Sequence, residues 1–270
     1  MVRQPPSPPY KTAVKLSRSS VEKPWGRTTL PPAFDAPEGQ RVGEVWFTGG
    51  ADLPLLAKYI FTSEKLSIQV HPDDEQARSR GLAQGKAECW YIIDAEPGAT
   101  LGLGLREAVS AEVLRNAALD GSIERLMKWR PVAPGDFFYV PPGTIHAIGA
   151  GISLLEFQQN ADITYRLYDY GRPRELHLED GVAVARREPY PEQLARHVGS
   201  REDCTLVDGE HFILVQAKAD KLGDRQRWVM PLSGEIRSGP DNAKAGECLL
   251  LQPSEAFETD GATVLIGATN

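Results

Sequence analysis

The chain is short of several things, and each shortage closes off a class of function. Only three cysteines occur in 270 residues, Cys89, Cys204 and Cys248, and none stands in a CxxC pair. An odd, widely spaced set argues against a disulfide framework and against a thiolate metal site. Cys89 reads as a small buried hydrophobe rather than a nucleophile. Basic residues are in deficit, 30 Lys and Arg against 37 Asp and Glu, for a net charge of −7. That balance argues against a general nucleic-acid-binding surface, but a local basic cluster can still meet a phosphorylated small molecule. No apolar run approaches the length of a membrane span, and residues 1–9, with four prolines, lack the apolar centre of a secretory signal. The expectation is a cytoplasmic protein with no membrane partner and a mobile, proline-rich tail over residues 1–22. No internal repeat is evident, and helical periodicity is confined to one stretch. What remains is ordinary for a globular chain long enough for one large or two modest domains: 41% hydrophobic and 25% charged residues.

The most informative segment runs from Gly135 to His146, reading GDFFYVPPGTIH. An apolar run leads to a Pro-Gly corner, Gly143 supplies the backbone freedom the corner needs, and His146 opens the next strand. Upstream, in Ser67-Ile68-Gln69-Val70-His71, strand alternation puts Gln69 and His71 on one face. In Gly85-Lys86-Ala87-Glu88, Lys86 and Glu88 again share a face. A lone strand histidine is more often a core or surface residue than a ligand. Here several candidates recur in apolar strand-like runs, and Gln69, His71, Glu88 and His146 make a mixed N/O set. Such a set suits a borderline ion such as zinc with an open coordination position.

The rest of the chain reads as mainly β. Strands are expected at Arg41–Phe47, Leu56–Phe61, Lys65–His71, Asp136–Val140, Ile145–Ile148 and Ile152–Gln158. Asp73 or Asp74 is placed to cap a short helix that Gly81 ends. Between Arg106 and Trp129, Val109, Val113, Leu114, Ala117 and Ala118 form one apolar stripe. Ile123, Leu126 and Met127 form a second after Asp120-Gly121, so two helices are expected. Residues 185–191 read as a linker. From Cys204 onward, short strands and Gly/Pro/Asp turns read as a second, smaller β-barrel or sandwich, whose one histidine, His211, has no ligand-spaced partner.

Residues 135–146 resemble the second metal-binding motif of the cupin barrels: a glycine, five residues, Pro-x-Gly, two residues and a ligand histidine. The motif's final asparagine is replaced by Ala150. The set as a whole resembles the type I mannose-6-phosphate isomerases in their short bacterial form. The shared segments are Gln69-Val70-His71-Pro72-Asp73-Asp74, Gly85-Lys86-x-Glu88-x-Trp90-Tyr91, the Pro-Gly-Thr-Ile-His turn, and the run from Glu156 to Tyr170 containing Thr164-Tyr165-Arg166. The similarity extends from about Lys23 to about Asp180. It implies a cupin-type β-barrel (jelly roll) over 23–190 with a helical insertion around 106–129, and a smaller metal-free β domain over 191–270. It further implies one zinc ion on Gln69, His71, Glu88 and His146, and an active-site role for Arg166. Glu156 and Lys86 are the further pocket candidates, Lys86 as acid–base group or phosphate anchor. The implied partner is a small sugar phosphate, and the implied reaction is the interconversion of mannose 6-phosphate and fructose 6-phosphate. A metal-dependent cupin oxygenase and a non-catalytic sugar-phosphate-binding cupin stay open as alternatives, as does the oligomeric state.

Overall fold

Strand alternation is realised in antiparallel sheets, as the sequence pattern requires. The computed structural model describes residues 13–49 and 52–270. They fall into two units, a larger one comprising Ser20–Trp46 and Leu55–Gly199, and a smaller one holding residues 200–270 together with 13–19, 47–49 and 52–54.

A seven-stranded sheet, mostly of the larger unit, runs in the order Ala195–His197, Asp136–Val140, Glu88–Ala95, Ile152–Gln159, Leu55–Phe61, Val42–Thr48 and Ser17–Arg27. A five-stranded sheet runs in the order Tyr165–Tyr168, Ile68–Val70, His146–Ile148, Thr100–Leu105 and Met127–Pro131. Trp25, Ile60, Trp90, Ile92, Phe138 and Leu154 of the first sheet share one core with Leu101, Leu103 and Ile148 of the second. The two sheets therefore pack as layers with a common interior, and apolar burial between them is the main favourable term.

Helices cover the other face of the five-stranded sheet. Ile68, Val70, Leu105, Ala147, Tyr165 and Leu167 pack there against Leu114, Ala117, Ala118, Ile123 and Val184. The covering helices are Ala111–Asp120, Ile123–Leu126 and Leu178–Val184. The first is capped by Ser110, which accepts from the Val113 amide, and is stopped by Gly121 at φ 79°. Two expectations need correction. Val113 is 47% exposed, so the stripe consists of Leu114, Ala117 and Ala118, with Val109 packing beside them just ahead of the helix. Met127 and Trp129 lie in a strand paired with Thr100–Leu105 rather than in a helix. Met127 is buried in the strand, as an apolar stripe on a helix would also require, so apolar spacing could not separate the two.

Asp73 caps the short helix Asp74–Arg78 in a capping box with Gln76. The stretch 185–191, read as a linker, is packed instead. Arg186 bridges Thr144, Pro189 bridges Gly104, and the buried Tyr190 donates its hydroxyl to the Tyr139 carbonyl at 2.6 Å. Proline punctuation reads as a linker in sequence, yet it equally suits a lone bridge at a sheet edge.

The smaller unit has a six-stranded sheet in the order Val14–Lys15, Leu249–Leu251, Arg227–Ser233, Thr263–Thr269, Phe212–Ala217 and Cys204–Asp208. Beside it stands a three-stranded sheet of Asp241–Lys244, Glu235–Ser238 and Glu258–Thr259. Val215, Val229, Ile236, Leu249, Val264 and Ile266 form its core. Residues 1–12 of the expected tail lie outside the described residues. Residues 14–15 and 17–22, assigned to the same tail, are strand, and Val14 pairs with Leu250 near the other end of the chain. Pairing at that separation leaves no local trace in the sequence.

Candidate metal centre

Strand parity decides which side chains face between the sheets. Ile68 and Val70 point to the helices, so Gln69 and His71 point inward, as the alternation predicts. His146 stands opposite Gln69 in the adjacent strand. Its turn is stitched to the strand of His71, because the Gly143 amide donates to the His71 carbonyl at 2.8 Å. Gly143 has φ 84°, which a side chain would strain. Gly85 is needed for a different reason. A Cβ there would stand 2.4 Å from the Pro72 carbonyl oxygen. That close approach returns the chain after the short helix, and the next residues deliver Lys86 and Glu88 inward.

The inward groups converge. His71 Nε2 lies 3.4 Å from Glu88 Oε2, and His146 Nε2 lies 3.3 Å from Glu88 Oε1. Gln69 Nε2 is 3.2 Å from His146 Nε2. One donor atom from each of His71, Glu88 and His146 falls within 4.8 Å of the others. Ligand atoms about 2.0–2.1 Å from a tetrahedral ion stand roughly 3.3–3.4 Å apart, so these spacings suit one small cation. The hydrogen bonding agrees. Both ring nitrogens of His71 and both oxygens of Glu88 are buried without a hydrogen bond. Lys86 answers Glu88 Oε2 at 3.0 Å, but both His71 nitrogens and Glu88 Oε1 remain, and polar atoms at that depth are costly unless a cation answers them. His146 Nδ1 lies 2.9 Å from the Thr144 carbonyl, which can only accept, so the proton sits on Nδ1 and the Nε2 lone pair faces the cluster. Ser67 Oγ donates to Gln69 Oε1 at 3.0 Å. A hydroxyl serves either end of an amide, so Gln69 offers the cluster an oxygen when its amide turns over.

Protonation follows from the same surroundings. Burial, reinforced by Lys86, lowers the His71 pKa to about 3, and burial also lowers that of His146, so both rings are neutral. Burial pushes the Glu88 carboxyl up, but Lys86 and the two histidines outweigh it and hold it well below the usual range. Two neutral imidazoles and one carboxylate are in the ligating state.

A cavity of about 310 Å³ opens over this cluster. Its floor and one wall carry a line of alternating charges. Lys86 Nζ lies 3.0 Å from Glu88 Oε2 and 3.6 Å from Glu156 Oε1. Lys58 Nζ lies 3.1 Å from Glu156 Oε1 and 3.8 Å from Glu44 Oε2, and Lys23 Nζ reaches Glu44 Oε1 at 3.5 Å. Trp90 Nε1 donates to Glu156 Oε2 at 3.1 Å. Burial, with the Glu88 charge, raises the Glu156 pKa against the opposing pull of Lys58 and Lys86. The mouth is lined by Asp162, Thr164, Arg166, Arg174 and His177.

Of the site residues read from the sequence, Gln69, Lys86, Glu156 and Arg166 line this cavity, while His71, Glu88 and His146 lie buried behind Gln69 and Lys86, within ion-pair or hydrogen-bond distance of them or of one another. Lys86 is drawn to the cluster itself rather than to the mouth. Arg166 differs from its expected setting. It is only half-buried, and its Nη1 donates to the Glu175 carbonyl at 3.2 Å. Burial, with Arg174 nearby, lowers its pKa. Tyr168, two residues further along the strand, packs toward the helices, since the register shifts between Arg166 and Tyr168. Cys89 is buried with its thiol donating to the Phe157 carbonyl at 3.5 Å, and burial pushes its pKa well up.

Glu44, Trp46, Lys58, Arg174 and His177 were not found from sequence. Lys58 left one signal, a lone cation in Leu55–Phe61, where every residue is buried. Arg174 and His177 sit in a loop and a helix cap, where no periodicity points to a pocket.

No protein-family model matches the chain. The mannose-6-phosphate isomerase ManA of Bacillus subtilis is 43% identical over 173 residues, 60% of this chain and 55% of that protein, so the chain spans about half of ManA's length. The probable mannose-6-phosphate isomerase GmuF of the same organism is 35% identical over 220 residues, 74% of this chain and 69% of that protein. The crystal structure of the mannose 6-phosphate isomerase from Bacillus subtilis superposes with a TM-score of 0.77 at 26% identity, over 95% of this chain and 99% of that one. The mainly β, cupin-type architecture is common to both. With identity at this level sustained over more than two thirds of GmuF, the chain belongs to the type I mannose-6-phosphate isomerase family.

Proposed function

We propose that this chain is a zinc-dependent aldose–ketose isomerase that interconverts mannose 6-phosphate and fructose 6-phosphate, with Gln69, His71, Glu88 and His146 as ligands of one ion. The observation that carries the reading is the buried His71–Glu88–His146 cluster, in which neither His71 nitrogen has a hydrogen-bond partner, beside a cavity with a lysine–glutamate wall. The donor set, two imidazoles with oxygen donors and no thiolate, favours zinc with a position left for substrate. Bound zinc supplies Lewis-acid polarisation of the substrate's carbonyl and hydroxyl oxygens.

The chain's own groups do the rest. Conversion of the aldose removes a proton from C2 and returns one to C1, while O2 loses a proton and O1 gains one, through an enediol. Glu156 suits the carbon proton, since burial and the Glu88 charge raise its pKa and Trp90 fixes its second oxygen. Lys86, between Glu88 and Glu156, suits the oxygen proton. Arg166 and Arg174 at the mouth suit the phosphate, which a planar guanidinium grips through two donors. Asp169 holds Arg174 there with contacts of 2.5 and 2.7 Å.

The test is proton exchange at C1 and C2 of either sugar phosphate, followed by NMR, with chelation and zinc repletion as controls. Turnover that stops on chelation and returns with zinc supports the reading. A folded, metal-replete sample that exchanges neither proton overturns it, leaving oxygen consumption or bare sugar-phosphate binding as the activities to measure.

A further inference from the structure

We infer that Glu44 is a positioning residue for this reaction: it shares Lys58 with Glu156, and so limits how tightly Lys58 closes on the Glu156 carboxylate. The inference rests on the function proposed above.

Glu44 lies on the strand Val42–Thr48 and is only 6% exposed. A buried carboxylate is costly unless several groups answer it. Three do. The Trp46 indole donates to Oε2 at 2.6 Å, Lys23 Nζ stands 3.5 Å from Oε1, and Lys58 Nζ stands 3.8 Å from Oε2. Trp46 is two residues along the same strand, and Lys58 Nζ also lies 5.6 Å from its ring centroid. Glu44 and Trp46 thus form one wall against a single face of Lys58.

Lys58 has no other carboxylate within ion-pair distance than Glu44 and Glu156, among the described residues. Its ammonium is 3.1 Å from Glu156 and 3.8 Å from Glu44, a divided pairing rather than one full salt bridge. The second cation near Glu156 is divided too, since Lys86 is closer to Glu88 than to Glu156. A carboxylate that must accept a proton from carbon cannot be fully neutralised by a fixed ammonium. Sharing each lysine with a second acid avoids that while still keeping the buried charges paired. Glu88 does this for Lys86, and Glu44 does it for Lys58.

The experiment uses the full-length, zinc-loaded protein. Glu44→Gln keeps an acceptor for the Trp46 indole and removes only the charge. A crystal structure of this variant should show Lys58 Nζ withdrawn from residue 44 and closed on Glu156. Its kcat should fall by about tenfold, the factor carried by one contact of hydrogen-bond strength, with KM within about twofold. Glu44→Asp, which keeps the charge at shorter reach, should recover part of that loss and serves as the second variant if Glu44→Gln does not fold. Because Glu44 acts through Lys58, Glu44→Gln should have no further effect on kcat in a Lys58→Met background. Lys58 unmoved, with kcat unchanged or with losses that add in the double variant, would overturn the inference. If the wild-type protein turns over neither sugar phosphate, the proposed function fails, and the position of Lys58 in the variant still decides whether it is shared.

Discussion

Lys58→Met removes a buried cation while keeping an unbranched chain of similar length, and its cost follows from the distances. Lys58 is 5% exposed, Glu156 3% and Glu44 6%. At an effective dielectric near 20, contacts of 3.1 and 3.8 Å are worth roughly 5 and 4 kcal/mol before desolvation is counted. Deleting one partner of a buried pair costs about 3–5 kcal/mol net. The lower end applies here, because Glu44 keeps Lys23 and Trp46, while Glu156 keeps Trp90 and Lys86. The expected loss is therefore about 3 kcal/mol near pH 8. The sign of its pH dependence is fixed by Glu156. Burial and Glu88 already raise its pKa above the ordinary carboxylate value, and removing Lys58 raises it further. An acid whose pKa is higher folded than unfolded binds more protons in the fold, so stability declines as pH rises from the unfolded value through the folded one. The deficit should therefore be greatest near pH 8 and shrink toward about pH 5. Urea unfolding followed by tryptophan fluorescence suits the measurement, since Trp25, Trp46, Trp90 and Trp129 all belong to the larger unit. A deficit below about 1 kcal/mol at pH 8, or one that does not change with pH, would refute the buried-network reasoning.

Elemental analysis should find about one zinc equivalent per chain, lost in His71→Ala and His146→Ala but kept in His211→Ala, and full metal content in the first two would remove the ligand assignment. Arg166→Ala should leave metal content intact, since guanidinium is not a ligand. Its half-exposed place at the mouth predicts a rise in KM of at least about tenfold with a smaller change in kcat, and Arg166→Lys should restore only part; a loss confined to kcat would instead make it a group acting in the transition state. Gly143→Ala should cost about 1–2 kcal/mol from the backbone angle alone. The added Cβ would also stand 2.9 Å from Arg186 Cγ, so the turn carrying His146 should shift and zinc affinity should drop; an unchanged melting temperature and affinity would show that the turn tolerates a side chain.

The sequence by itself determined the parts of this protein that depend on near neighbours along the chain. Alternation with period two put Gln69 and His71 on one face and Lys86 with Glu88 on another, and the Pro-Gly corner fixed where His146 starts its strand. Asp73 caps its helix and Gly121 stops another because both effects act within a turn. Tertiary structure decided what depends on residues far apart. Val14 pairs with Leu250, and Met127 is strand because Leu105 lies beside it. The role of Lys58 was hidden for the same reason. A lysine in an apolar strand becomes intelligible only when Glu44 and Glu156 arrive from the strands on either side of it. Arg166 shows the converse limit, since its motif was legible but its exposure was not. Burial is a property of everything packed around a side chain, and no local pattern encodes it.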